Sequence, residues 1–441
     1  MKRFCCSMMN LRTAFLPVLL LAFSASMGAP SAVKVPPDVF FTRPQFTTRF
    51  EFASRGVGQH TAETFLDEIV TNGFPCGVYV VECDWATHPG AMTFDTAEFP
   101  DPAGLFGKIR DAGATPLLSA SCFVSPDSRE CRRFRFDPEG GGLDHLLHGP
   151  DDRTPAIIQW RGGGSAVWDL TRPAAFGFFL DMLTSFAEKY RVEGFLFESF
   201  ASSELAGCRF FSQNADADAF FSCYGRLARY FPCSFYDRAM PGFLGATVRL
   251  SPRRHSWTDL QRVIPEMLAL SGDGTLFCVP DGVGGGDTAF VSPSRLGRVD
   301  QTLFVRSCAM QAMMPAMQFA RAPWRSLSPE NTRICNAFVR LHASMAPYIL
   351  EQVRHAARTG EPVVRSMDKV FPRQGFDRPL QQFMLGPKYL VAPVVSQDGS
   401  VVIEFPAGIW TDPRGMTVEG PKSLSMEKVP LSFLPYFERK M

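Results

Sequence analysis

Three carboxylates each close a short apolar run: Asp84 after Val78–Cys83, Glu198 after Gly194–Phe197, and Asp281 after Thr275–Pro280. Arg249 stands at the end of a fourth run, Ala246–Leu250, and Trp85, Trp257 and Trp324 fall at similar places. Carboxylates and guanidinium groups hydrogen-bond hydroxyls, and aromatic faces cover the apolar faces of rings. A set of this kind suits a polyol. Alternatively, each acid caps the helix that follows it. A lone acid reads as such a cap, whereas three acids on one face leave both readings open.

The elements that would position these residues follow from the pattern of apolar runs. Candidate strands are Val78–Cys83, Pro116–Ser121, Gly194–Glu198, Ala246–Leu250, Thr275–Pro280 and Pro315–Phe319, with weaker ones at Arg49–Phe52 and Cys233–Tyr236. Runs this short and apolar suit parallel strands buried on both faces. Between them lie helical stretches at Thr61–Asn72, Pro102–Ala112, Pro173–Tyr190, Asp216–Tyr230, Trp257–Leu270 and Arg298–Met310. Repeated strand–helix alternation predicts a (β/α)8 TIM barrel over residues 30–358, with its functional face at the C-terminal strand tips. A doubly wound sheet lacks support, because no GxGxxG follows a strand and no P-loop is present. From residue 359 to 441 Pro, Gly and β-type segments dominate, which predicts a small antiparallel β-sandwich domain.

Composition narrows the function classes. The chain has 441 residues, with Lys+Arg 45 against Asp+Glu 44 and no basic block. Charge-driven binding to nucleic acid or to an anionic membrane is therefore not expected. Residues 1–29 read as a secretory signal: Lys2, Arg3 and Arg12 precede the apolar run Ala14–Phe23 and the small residues Ser24–Ala29. That run is too short to cross a bilayer, so the mature chain is expected to have no membrane span and to be secreted or lumenal in the ER or Golgi. The cysteines form no CxxC pair and no Cys/His cluster with zinc spacing, so no metal or cofactor is expected. Cys83, Cys122 and Cys278 read as buried thiols. Cys208, Cys223 and Cys233 are close enough in sequence for a local bridge.

Longer blocks carry a resemblance. Asp84 with Phe94–Pro100, Ile109–Gly113, Trp160–Pro173, Pro280–Gly285, and above all Met314–Trp324 resemble one branch of glycoside hydrolase family 31. Leu390–Val394 and Phe405–Trp410 resemble the β-domain that follows that family's barrel. The resemblance implies a retaining α-glycosidase, an O-glycosyl hydrolase acting on a carbohydrate. Such enzymes need two carboxyls about 5–5.5 Å apart, one nucleophile and one acid/base. Glu198, in Phe195-Leu-Phe-Glu198, falls at the nucleophile position, where the family carries Asp. The family's acid/base position falls on Arg254, in Arg249-Leu-Ser-Pro-Arg-Arg254-His-Ser-Trp257. A guanidinium stays protonated and cannot transfer a proton. His255 or Asp259 could stand in only if the loop were rearranged.

The resemblance further implies that Asp84, Trp85, Trp160, Arg249, Asp281 and Trp324 line the sugar subsite; Asp169 lies in the same matching block as Trp160, where a structural role is open to it as well. It also implies a β-sandwich ahead of the barrel, for which the residues before Phe40 leave no room. The sequence thus reads as a short form or an incomplete gene. Two functions stay open: a glycosidase with impaired catalysis, or a non-catalytic relative that binds a glycan or serves as a lumenal interaction protein.

Overall fold

The computed structural model describes residues 35–52, 56–82, 85–136, 145–151, 154–160, 163–212, 214–240, 246–286 and 299–440. The expected signal, Cys83 and Asp84 lie outside them. Eight parallel strands run in chain order around one sheet: β1 Gln45–Thr47, β2 Val78–Val81, β3 Thr115–Ala120, β4 Gly194–Phe197, β5 Phe235–Tyr236, β6 Thr247–Arg249, β7 Phe277–Val279 and β8 Gln318–Phe319. Strands β1 and β8 pair directly. On the far side Val283, just past β7, bridges Phe319 of β8 and all but closes the ring. The expected barrel is the observed fold.

The helices of the outer layer are α1 Gln59–Thr71, α2 Pro102–Asp111, α3 Pro173–Tyr190, α4 Ala217–Gly225, α5 Trp257–Gly272, α6 Gln301–Gln311 and α7 Pro329–Thr359. No helix is described in the β5–β6 connection, residues 237–246. The Arg49–Phe52 segment is not a strand. It belongs to a short helix, Thr48–Phe52, and the strand lies just before it. Phe50 and Phe52 imitate a strand's period of two. In the fold, Phe50 instead lies under the Arg249 guanidinium and Phe52 packs edge-on to Phe65 of α1.

The bottom of the barrel is apolar. A short helix, Val39–Thr42, places Phe40 edge-on to Phe235 and Phe41 against Phe277, with centroids 5.9 and 6.0 Å apart. Between β3 and α3 the chain makes an excursion with its own antiparallel sheet, Phe123–Val124, Ile158–Trp160 and Gly163–Val167. After α7, the strands β9 Val364–Arg365, β10 Phe383–Leu385, β11 Tyr389–Val391, β12 Val401–Thr411, β13 Thr417–Met426 and β14 Tyr436–Lys440 form an antiparallel sheet. Its own core gathers Trp410, Phe405, Phe437 and Ile403. Arg306 of α6 ties it to the barrel by donating to the carbonyls of Val429 and Pro430.

No disulfide joins the described cysteines. The local bridge expected among Cys208, Cys223 and Cys233 is not formed. Cys223 belongs to α4, while Cys233 packs so closely on Gly194 of β4 that a Cβ there would meet its carbonyl carbon at 2.7 Å. Among the described residues no helix is long and apolar enough to cross a membrane.

Candidate active site

Strand alternation decides which side chains look into the barrel. Gln45 and Thr47 of β1 point inward, as do Arg249 of β6 and Gln318 of β8. By the same alternation Glu82 after β2, Glu198 after β4, Asp237 after β5 and Asp281 after β7 face the interior at the C-terminal rim. All of them are buried. Arg249, fully buried, is the interior cation. Its Nη1 donates to Gln318 Oε1 at 3.1 Å and lies 3.6 Å from Glu82 Oε1. Gln318 in turn donates to Gln45 Oε1 at 3.1 Å, and the Thr47 hydroxyl donates to Glu82. Arg49 approaches the other Glu82 oxygen at 3.8 Å.

Glu198 is fixed through its backbone. Its N–H donates to Ala120 O at 2.8 Å, and the Tyr224 hydroxyl donates to its carbonyl at 2.9 Å. Beside it, Asp237 Oδ1 accepts the Ser199 N–H at 2.8 Å. Burial pushes the Asp237 carboxyl above its ordinary range, against the pull of Arg249 and the Ser199 N–H. Trp160, from the excursion sheet, stacks on Phe123 at 4.3 Å and meets Phe200 edge-on at 6.3 Å. This cluster places an aromatic face two residues past Glu198.

Asp281 controls the loop that carries Arg254. Its Oδ2 accepts the Arg253 N–H and its Oδ1 accepts the Gly282 N–H, each at 2.7 Å. Burial pushes its carboxyl up to about 7, although Arg249 and both N–H donors oppose that shift. Gly286 sits so close that a Cβ would meet Asp281 Oδ1 at 2.8 Å. The Arg253 side chain leaves the loop to pair with Glu266 of α5. Arg254 is exposed and borders, with His255 and Asp281, a cleft of about 30 Å³.

Neither neighbour is free to replace it. His255 Nε2 donates to the Asp300 carbonyl at 3.0 Å, and burial holds its pKa below the usual value. Asp259 is tied to the N-cap Ser256, its N–H donating to Ser256 Oγ at 3.1 Å and its Oδ2 accepting from that hydroxyl at 3.0 Å.

The sequence-derived set is thus only partly brought together. Glu198, Arg249, Asp281 and Trp160 share the C-terminal side of the barrel; Arg254 is on the loop after β6. Trp85 is packed into the core against Phe94 and Phe186, its indole N–H donating to Ser119 O at 3.0 Å. Trp324 sits in the helix layer. It meets Phe46, the outward residue of β1, together with Phe65 and Phe74, and donates to Glu68 Oε2 at 2.8 Å. Both tryptophans serve packing in this arrangement.

Asp169 accepts from Thr171 and from the Phe211 N–H, which makes it a loop clamp. It lines a cavity of about 550 Å³ with His148, Arg172, Arg209 and Phe211, none of which belongs to the rim acids. Two rim acids were missed in sequence, Glu82 and Asp237. Glu82 lies inside the run Val78–Cys83, directly past the end of β2, and Asp237 directly follows the weaker run Cys233–Tyr236. Among the described residues no group of three or more His, Cys, Asp or Glu side chains is arranged to hold a metal.

The class defined by this architecture is a parallel eight-stranded (β/α)8 barrel with carboxylates on its rim, followed by an antiparallel β-domain. Residues 44–221 match the glycosyl hydrolases family 31 TIM-barrel domain and residues 360–440 the family 31 C-terminal domain, so the chain belongs to glycoside hydrolase family 31. It is 29% identical over 425 residues to mouse myogenesis-regulating glycosidase, covering 92% of this chain and 57% of that protein. It is 22% identical to an α-xylosidase of Emericella nidulans, covering 86% of this chain and 48% of the relative. The chain therefore spans about half the length of these relatives. Among solved structures, the family 31 dextranase of Flavobacterium johnsoniae complexed with glucose superposes with a TM-score of 0.79 at 18% identity, over 92% of this chain and 52% of that one. At that identity the likeness concerns the fold.

Proposed function

We propose that the protein binds an α-glycoside in the barrel mouth, with Glu198 as the nucleophile of a retaining mechanism whose proton transfer is impaired. The observation that carries this reading is the buried Glu198 at the tip of β4, beside the Trp160–Phe123 platform. Arg249 and Asp281 frame the same mouth; Asp84, from the sequence, would add a further carboxylate. In a retaining hydrolysis the nucleophile displaces the aglycone, which must be protonated as it leaves. General acid catalysis is worth about 10²–10⁴-fold. Arg254, at the family's acid/base position, cannot supply that contribution, while aglycones that leave as stable anions do not need it.

The test is turnover of nitrophenyl α-galactoside and α-glucoside, run beside calorimetric titration with the free sugars. Release that disappears in Glu198→Gln supports the reading; release unchanged in that variant sinks it. A second reading, glycan binding without catalysis, is favoured by Arg254 and predicts heat on titration with no release from any substrate. Residues 1–29 support a secretory route for the chain, and amino-terminal sequencing of the protein recovered from a culture medium checks it. Recovery with Met1 in place would refute the cleaved signal.

A further inference from the structure

We propose that Asp237 is the proton-carrying carboxyl for Glu198, in place of the position held by Arg254. The inference rests on Glu198 being the nucleophile and adds the second member of the pair. Geometry carries it. The β4–β5 register sets Phe197 beside Tyr236, so the next residues, Glu198 and Asp237, stand side by side. Adjacent strands are about 4.8 Å apart, and a retaining pair needs its carboxyls about 5–5.5 Å apart. Backbone bonds hold the register past the strand ends: the Asp237 N–H donates to Phe197 O at 3.1 Å, and the Ser199 N–H donates to Asp237 Oδ1. The carboxyl is almost wholly buried at the rim, facing Arg249 from β6, Arg49 from the β1 exit, its neighbour Arg238, and Tyr224 of α4. Burial pushes this carboxyl above its ordinary range, the direction a proton donor requires.

The step balances without a co-reactant other than water. A Glu198 carboxylate oxygen forms a bond to the anomeric carbon as the bond to the glycosidic oxygen breaks. The Asp237 proton passes to that oxygen, giving the free alcohol and a glycosyl ester. Water then attacks the anomeric carbon, its proton returns to Asp237, and Glu198 leaves as carboxylate. Asp237 is placed to compensate for Arg254 only in part, because it stands on the strand next to the nucleophile and not on the loop after β6.

The experiment compares Asp237→Asn with the unaltered protein on phenyl and dinitrophenyl α-glycosides of whichever sugar is turned over. Asparagine keeps an oxygen for the Ser199 N–H, so a purely structural role is preserved. A loss of about 10²–10⁴-fold in kcat/KM for the phenyl substrate, a far smaller loss for the dinitrophenyl one, and capture by added azide as an α-glycosyl azide are the expected results. Equal losses on both substrates without azide capture, or no loss, would overturn the proposal. The unaltered protein provides an independent check: a shallow dependence of kcat/KM on the aglycone's acidity fits a proton donor, and a steep one excludes it. Hydrolysis of neither substrate overturns the proposal too, and calorimetry then decides whether the binding reading survives. If Glu198→Gln retains full activity, the nucleophile assignment has failed instead.

Discussion

Replacing Arg249 by Met should destabilise the barrel by about 3 kcal/mol, and the pair it forms with Glu82 sets the size. Both side chains are fully buried and their charges are 3.6 Å apart. Removing one member of a buried pair typically costs about 3–5 kcal/mol, because the other charge stays behind in a medium that solvates it poorly. Two local terms pull the figure to the low end. Arg249 Nε and Nη2 are buried without partners, so their removal relieves a penalty already present. Glu82 also keeps the Thr47 hydroxyl and Arg49. Glu82→Gln should cost a similar amount, by stranding the guanidinium.

The double variant Glu82→Gln/Arg249→Met carries neither charge, and should lie within about 1 kcal/mol of the starting protein, as neutral replacements of buried pairs often do. The cycle, read from urea unfolding of all four proteins, should therefore show a coupling of at least about 2 kcal/mol. Single losses that simply add, with coupling below about 0.5 kcal/mol, would refute the claim that Arg249 is held by Glu82.

Asp281 makes stability fall as pH rises. Its carboxyl is raised from 3.8 to about 7, so its stabilising contribution is complete below pH about 4 and is lost as pH climbs through about 7. At about 1.4 kcal/mol per unit the change is about 4 kcal/mol. Buried His342, lowered from 6.5 to about 4, acts in the opposite sense, losing stability as pH falls through the same interval. The two largely cancel in the unaltered protein. The difference between Asp281→Asn and the unaltered protein should therefore move in favour of the variant between pH 4.5 and 7.5, as judged by urea midpoints; a flat difference would contradict the burial effect. Trp324→Phe should cost about 1 kcal/mol of stability, for the lost bond to Glu68, and leave sugar affinity unchanged; weaker sugar binding in calorimetry would return Trp324 to the mouth.

The barrel was legible because parallel strands covered on both faces must be apolar throughout, so each appears as a short run with a polar stop. The stops Glu198 and Asp281 are rim carboxylates for that reason. Asp237 obeys the same rule, but its strand is two residues long and Cys233–Tyr236 is a weak signal, so the acid after it was overlooked. Glu82 was eclipsed by Asp84, which follows the same run two residues on. Tryptophans misled in the other direction. An indole just past a strand end looks like a sugar platform, yet where it points is set by contacts distant in sequence. Trp324 is drawn outward by Glu68, 256 residues away, and Trp85 inward by Ser119. The Arg254 loop was readable as a departure from the family, but not its anchoring. The two N–H donors on Asp281 and the hold of Ser256 on Asp259 depend on backbone geometry that residue types do not encode.

The polarity of the barrel's two ends bears on whether the mouth is a binding site at all. The lower end is filled by Phe40, Phe41, Phe235 and Phe277, an inexpensive way to close a ring of strands. The upper end buries Glu82, Glu198, Asp237 and Asp281 around Arg249, which costs several kcal/mol in desolvation that pairing only partly returns. A barrel serving as a scaffold alone would be more stable with apolar residues at both ends. Two of the four acids are pushed above the ordinary carboxylate range, and the arginine keeps two unpaired nitrogens. Those are groups whose hydrogen-bonding capacity the protein itself does not use up. A hydroxyl-rich ligand entering the mouth would supply donors and acceptors to such groups, in keeping with the proposed α-glycoside.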